Sequence, residues 1–132
     1  MLQNQLNTEE IEILAKAYVN PDKNKQTNYK QMILDISNTD PNNREELANS
    51  LEKQKWINEL VLWQNTKIPF LYILGKDDGF ININAYNEFL INAGFQKNQI
   101  KILDGVRHVP QLDDPENTAK LISEFILHVV KL

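Results

Sequence analysis

Two short segments hold the side chains best suited to chemistry. Gly75-Lys76-Asp77-Asp78-Gly79-Phe80 carries two adjacent carboxyl groups, and Asp104-Gly105-Val106-Arg107-His108-Val109-Pro110 carries a third carboxyl and an imidazole. A carboxylate and a histidine in hydrogen-bond reach form the acid–base half of a nucleophilic catalyst. The imidazole takes the nucleophile's proton, and the carboxylate orients the ring and stabilises the imidazolium. Either Asp77 or Asp78 can supply that carboxylate. Plainer roles are open to the same residues: Asp and Gly favour turns, and a loop histidine among aspartates can make a surface ion pair. A metal site from Asp77, Asp78, Asp104 and His108 would need convergent ligands, which carboxylates at irregular spacing rarely provide, so none is expected. The second histidine, His128, falls beside an apolar helical stripe and reads as structural.

Whether the two segments meet depends on the elements that carry them. Ile68-Pro69-Phe70-Leu71-Tyr72-Ile73-Leu74 is apolar on both faces, as in a buried parallel strand, and Gly75 ends it. Gln99-Ile100-Lys101-Ile102-Leu103 reads as a second, shorter strand. Between them Tyr86, Phe89, Leu90 and Ala93 repeat at i, i+3, i+4 and i+7, the spacing of one helix face. Gly94 follows where a left-handed helix end favours glycine. This strand-helix-strand order predicts two parallel strands. Both candidate segments then leave strands at the carboxyl edge, where open α/β sheets bind ligands. Asp114-Pro115 opens a last helix with a stripe of Ile122, Phe125, Ile126 and Val129; Asp114 reads as its cap and Asp113 as loop solvation.

Residues 1–66 read as helices only. Ile11, Leu14, Ala15 and Tyr18 form one stripe, capped by Asn7 or Thr8 and ended by Asn20-Pro21. Tyr29, Met32, Ile33 and Ile36 form a second. Asp40-Pro41 caps a third helix with a narrower stripe of Leu47, Ala48 and Leu51. Trp56, Ile57, Leu60 and Val61 suggest a short fourth, before a loop over residues 64–67. Trp56, Trp63 and Tyr29 read as packing residues among these helices.

At this point the chain resembles the α/β-hydrolase family. Pro69, its apolar strand and Gly75-Lys-Asp-Asp78 resemble that family's Pro-strand-Gly-x-x-Asp segment, and Gly105-Val-Arg-His108 followed by Pro115-Glu116 resembles its Gly-x-Gly-His…Pro-Glu segment. The resemblance implies that Asp78 is the catalytic acid and His108 the catalytic base. It also implies that residues 67–132 are the C-terminal βαβα part of the hydrolase core and that residues 1–66 are the end of a helical cap or lid. The fold class expected is therefore α/β: the C-terminal portion of a hydrolase fold, with a cap segment, two parallel strands and flanking helices. The activity implied is serine-type hydrolysis of an ester, amide or related bond in a small molecule, without an organic cofactor.

Two departures from the family's pattern stand out. Its nucleophile elbow is Gly-x-Ser-x-Gly; the four glycines here, Gly75, Gly79, Gly94 and Gly105, frame no serine, and Ser37, Ser50 and Ser123 lie in helical or polar contexts. Arg107 stands where the family has glycine; its cation would disfavour an imidazolium at His108, or pair with Asp104 or Asp113. Moreover, two parallel strands do not complete a domain, because such a sheet needs further strands and two covered faces. The missing strands are expected upstream in a longer protein; a second chain is the alternative source, through self-association or a separate N-terminal half. The alternative function is then a non-catalytic interaction module, or half of a split protein, pairing through its exposed strand edge.

Composition narrows the field. The 132 residues hold 14 Lys and Arg against 18 Asp and Glu, a net charge of -4, which argues against nucleic acid as a partner. Apolar residues at 42% suffice for a packed core, and the lack of cysteine excludes disulfides and thiolate chemistry. No apolar run approaches the ~18 residues of a membrane span. The polar start Met1-Leu2-Gln3-Asn4-Gln5 is unlike a signal peptide. A cytoplasmic location and no membrane partner are expected.

Overall fold

Helix α1 (Thr8–Tyr18) begins with a reciprocal cap. The Asn7 side chain accepts the Glu10 N–H at 3.0 Å, while the Glu10 carboxylate accepts the Asn7 N–H at 2.7 Å, so two donors with no helical partner are satisfied at once. Val19 is already extended ahead of Asn20-Pro21. A computed structural model describes residues 5–23, 27–53 and 59–130. α1 packs against α2 (Thr27–Asn38). Asp40 caps α3 (Pro41–Glu52), accepting the Asn42 N–H at 2.9 Å with proline in the first turn. α4 (Glu59–Asn65) takes in Gln64 and Asn65, which the sequence assigns to a loop. Trp56 and Ile57 of the expected fourth helix lie outside the described residues.

The sheet pairs β1 (Tyr72–Gly75) with β2 (Ile100–Leu103) in parallel, in the register Tyr72↔Ile100 to Gly75↔Leu103. α5 (Ile83–Asn92) and a 3₁₀ turn, Lys97–Gln99, connect them. β1 is shorter than the seven-residue run its apolarity suggests. β2 offers four partner residues, and Pro69 has no N–H to give a ladder. Tyr72, Ile73 and Leu74 are half-buried, not enclosed, since the sheet has two strands among the described residues.

One core lies between α5 and the sheet. Leu90, Phe95 and Ile100 are buried, and Phe70, Tyr72, Leu74 and Tyr86 pack around them. Leu90 is 1% exposed, so its burial alone contributes about 2 kcal/mol. Trp63 of α4 joins this cluster through Phe70, with ring centroids 5.2 Å apart. It therefore packs at the entry to β1, not among the N-terminal helices. Phe89 is exposed, contrary to its place in the expected stripe; the buried side of α5 runs through Ile83 and Leu90, two turns apart. Gly94 ends α5 at φ +96°, a backbone conformation open to glycine.

Beyond β2, the chain makes one turn of helix, α6 (Pro110–Asp113), then α7 (Pro115–Val130). Asp114 caps α7, accepting the Asn117 N–H at 3.2 Å. The inner side of α7 is Thr118, Leu121, Phe125 and Val129, whereas Ile122 and Ile126 of the expected stripe are exposed. Periodicity marks an apolar side, but a second surface must be present to bury it. The architecture is mixed α/β: seven α-helices and a two-stranded parallel sheet among the described residues. No helix among them is long and apolar enough to cross a membrane.

Candidate functional site

Parallel pairing brings both candidate loops to one rim. The Lys76 N–H donates to the Leu103 carbonyl and the Asp77 N–H to the Val106 carbonyl, each at 2.9 Å, which stitches the loops together immediately beyond the strands. Gly75 makes this approach sterically feasible. A Cβ there would collide with the backbone carbonyls of Val106 and Arg107. Sequence spacing alone leaves Gly75 as a strand end; its tight fit against the histidine loop emerges only in three dimensions.

Asp78, not Asp77, faces His108. The His108 Nδ1–H donates to Asp78 Oδ2 at 2.8 Å. The other carboxylate oxygen, Oδ1, accepts the N–H groups of Phe80 at 2.7 Å and Ile81 at 3.1 Å. Three donors thus fix this carboxylate, whose side chain is only 4% exposed. Nε2 is the ring nitrogen not engaged by Asp78. The imidazole side chain is 37% exposed, and no protein group among the described residues occupies Nε2.

The ring sits against two aromatic side chains. Phe80 meets it edge-on at 4.9 Å between centroids and Tyr18 at 5.6 Å, while Tyr18 and Phe80 themselves lie 4.8 Å apart. Tyr18 ends α1, so the N-terminal helices contribute directly to the histidine's surroundings. Ala17 lies against Gly79, with the α-carbon 2.5 Å from where a Cβ would stand. Tyr18 was legible only as one member of a helical stripe. Its role beside the imidazole spans 90 residues of chain, and no local period encodes such a contact.

Asp113, Arg107 and Asp104 are partnered differently from what the sequence suggests. Asp113 is not a solvated loop residue: it is 4% exposed and accepts backbone N–H groups from Asn20 at 2.8 Å and Arg107 at 2.7 Å. The Arg107 guanidinium reaches the Lys16 carbonyl on α1. Asp104 is taken instead by Lys76, with Nζ–Oδ1 at 2.5 Å. The hydrogen bond and charge of Lys76 hold the Asp104 carboxyl below its ordinary range, and Asp104 in turn raises Lys76. Asn117, through its side-chain hydrogen bond, likewise lowers the capping Asp114. His128 is exposed on α7.

Two hollows adjoin the site. A polar one of about 500 Å³ runs along Lys76 to Asn84 and includes Asp78. An apolar one of about 490 Å³ lies between α1 and α3, walled by Ile13, Leu14, Leu47, Leu51 and Phe80. Among the described residues, no three His, Asp or Glu side chains group as metal ligands. The Ser37 and Ser123 hydroxyls bond back to the carbonyls of Ile33 and Ala119 within their own helices. Chemically, the rim offers an imidazole oriented by a buried carboxylate. Comparison with protein-family models, curated proteins and solved structures gives no match to this chain.

Proposed function

We propose that this chain is the C-terminal part of an α/β-hydrolase, supplying the Asp78–His108 pair of a catalytic triad. One observation carries the reading. A buried carboxylate, anchored by two backbone N–H groups, holds a half-exposed imidazole at 2.8 Å with the far nitrogen open. That is the arrangement a general base needs to take a proton from an attacking hydroxyl and return it to a leaving group. Residues 1–66 act as the closing segment of a cap, consistent with Tyr18 beside the imidazole and α1 and α3 lining the apolar hollow. The substrate is a small, partly apolar ester, amide or related compound. The attacking residue and its oxyanion hole come from polypeptide outside these 132 residues, because no Gly-x-Ser-x-Gly occurs here.

The test has two arms. With p-nitrophenyl acetate, the isolated chain should give no burst of nitrophenol. The product extended in frame upstream of Met1, or mixed with a hydrolase-like half encoded next to it, should give one. A stoichiometric burst from the isolated chain would overturn the assignment of the nucleophile. An extended or reconstituted protein that binds ester and never acylates would overturn the hydrolase reading.

A second reading is favoured by the apolar outer face of α7, where Ile122, Ile126, Leu127 and Val130 are exposed, and by a sheet of only two strands among the described residues. In it the chain is a non-catalytic module that docks on another polypeptide through these surfaces. A stop codon upstream with no hydrolase-like frame nearby supports that reading over the first.

A further inference from the structure

The histidine loop is held in place by a carboxylate that the triad does not use. Asp113 lies at the end of α6, almost fully buried, with each oxygen on a different segment of chain. Oδ1 accepts the N–H of Asn20, 93 positions away, at 2.8 Å, and Oδ2 accepts the N–H of Arg107 at 2.7 Å. A carboxylate withdrawn from water is costly unless its lone pairs are met, and bonds from N–H groups to an ionised oxygen are among the stronger ones available. Other bonds close the same seam. The Asn20 side chain donates to the Gly105 carbonyl at 3.0 Å, the Asn28 side chain to the Leu112 carbonyl at 2.9 Å, and the Val109 N–H to the Tyr18 carbonyl at 3.1 Å.

The positions of these bonds matter. Arg107 immediately precedes His108, and Val109 immediately follows it. The peptide N–H on one side of the histidine is therefore fixed by Asp113, and the one on the other side by the end of α1. With both neighbours pinned, the His108 α-carbon has little freedom, and the ring is presented to Asp78 from a fixed point. The seam also joins the histidine loop to the turn after α1.

We infer that Asp113 is a positioning residue that aligns His108 with Asp78 by clamping the Arg107 peptide to the turn at Asn20. Its importance for catalysis rests on the reading of His108 as a general base; the clamp itself does not. The experiment uses the full ¹⁵N-labelled chain, which has two histidines, His108 and His128. Long-range ¹H–¹⁵N spectra of the imidazoles report which nitrogen is protonated, and His128, exposed on α7, is the internal reference. In the unsubstituted chain, His108 should show a proton on Nδ1, and the Arg107 and Asn20 amides should exchange slowly.

In Asp113→Ala the Nδ1 proton signal of His108 should be lost and its pattern should approach that of His128, while the α5 amides stay unchanged. Asp113→Asn, which keeps the side chain's shape and one acceptor oxygen, should give an intermediate loss and covers the case in which the alanine variant does not fold. A folded variant with an unchanged His108 pattern overturns the proposal. So does an Arg107 amide in the unsubstituted chain that exchanges as fast as an exposed loop amide. If instead that amide is protected and His108 lacks the Nδ1 proton, the clamp stands and the general-base reading falls.

Discussion

At the carboxyl rim of the sheet two carboxylates, Asp78 and Asp113, are inside and partnered, whereas along the outer face of α7 the apolar groups are outside. The side chains of Asp78 and Asp113 are nearly inaccessible, yet each carboxylate oxygen has a donor, and Val106 of the histidine loop is fully buried. On α7, by contrast, Ile126, Leu127 and Val130 are 52%, 61% and 77% exposed. Both regions belong to the same 132 residues, so composition does not explain the difference. The rim is completed by segments of this chain meeting each other; the α7 face has no such partner among the described residues. Positioning of the candidate base is therefore internal to the chain, and whatever finishes the sheet and covers its flanks is a separate matter.

Substitutions can break or sharpen this contrast. The largest effect is expected at the imidazole. In the assembled hydrolase, His108→Ala should lower the acylation rate on the order of 10⁴- to 10⁶-fold, read from single-turnover kinetics with p-nitrophenyl acetate. Next comes the strand end: Gly75→Val would drive a side chain into the carbonyls of Val106 and Arg107 and should destabilise the chain by about 3 kcal/mol in urea titration. A cost near zero there would mean the two loops are not pressed together. On the α7 face, Ile126→Ser should change stability by no more than about 0.5 kcal/mol in the isolated chain. A large loss would show that something covers that face, and the contrast would fail.

The smallest effect belongs to Lys76→Ala. Its partner pair is at the surface, and exposed ion pairs contribute little. The sign is still fixed by the direction of each shift. Asp104 is depressed, so its contribution is present above its ordinary 3.8 and is lost as pH falls through the lower folded value. Lys76 is raised, so its contribution is present below its ordinary 10.5 and is lost as pH rises through the higher folded value. The urea midpoints of the parent and Lys76→Ala should differ slightly near neutrality and converge at the acid end.

Much of the rim was legible because local chemistry encodes it. Asp78 and His108 each follow a strand, strand residues and turn residues differ in kind, and parallel order places both loops on one edge. The rest was not legible, for identifiable reasons. Tyr18, Asn20 and Asp113 act across 90 or so positions, and the sequence near each is compatible with a helix stripe, a helix stop and a solvated loop. The length of β1 depends on the four residues β2 offers, not on the apolarity of its own run. Ile122, Ile126 and Phe89 follow the helical period faithfully, yet that period records which side is apolar and not what lies against it.

The most direct test of the central claim is the acylation rate of the assembled protein carrying Asp78→Asn. That change keeps the side chain's shape but removes the charge, and with its oxygen kept on the Phe80 and Ile81 N–H groups it turns an NH2 donor, not an acceptor, toward His108 Nδ1. Acylation should slow by about 10⁴-fold while ester binding stays unchanged. A variant that acylates at the rate of the parent would contradict the account.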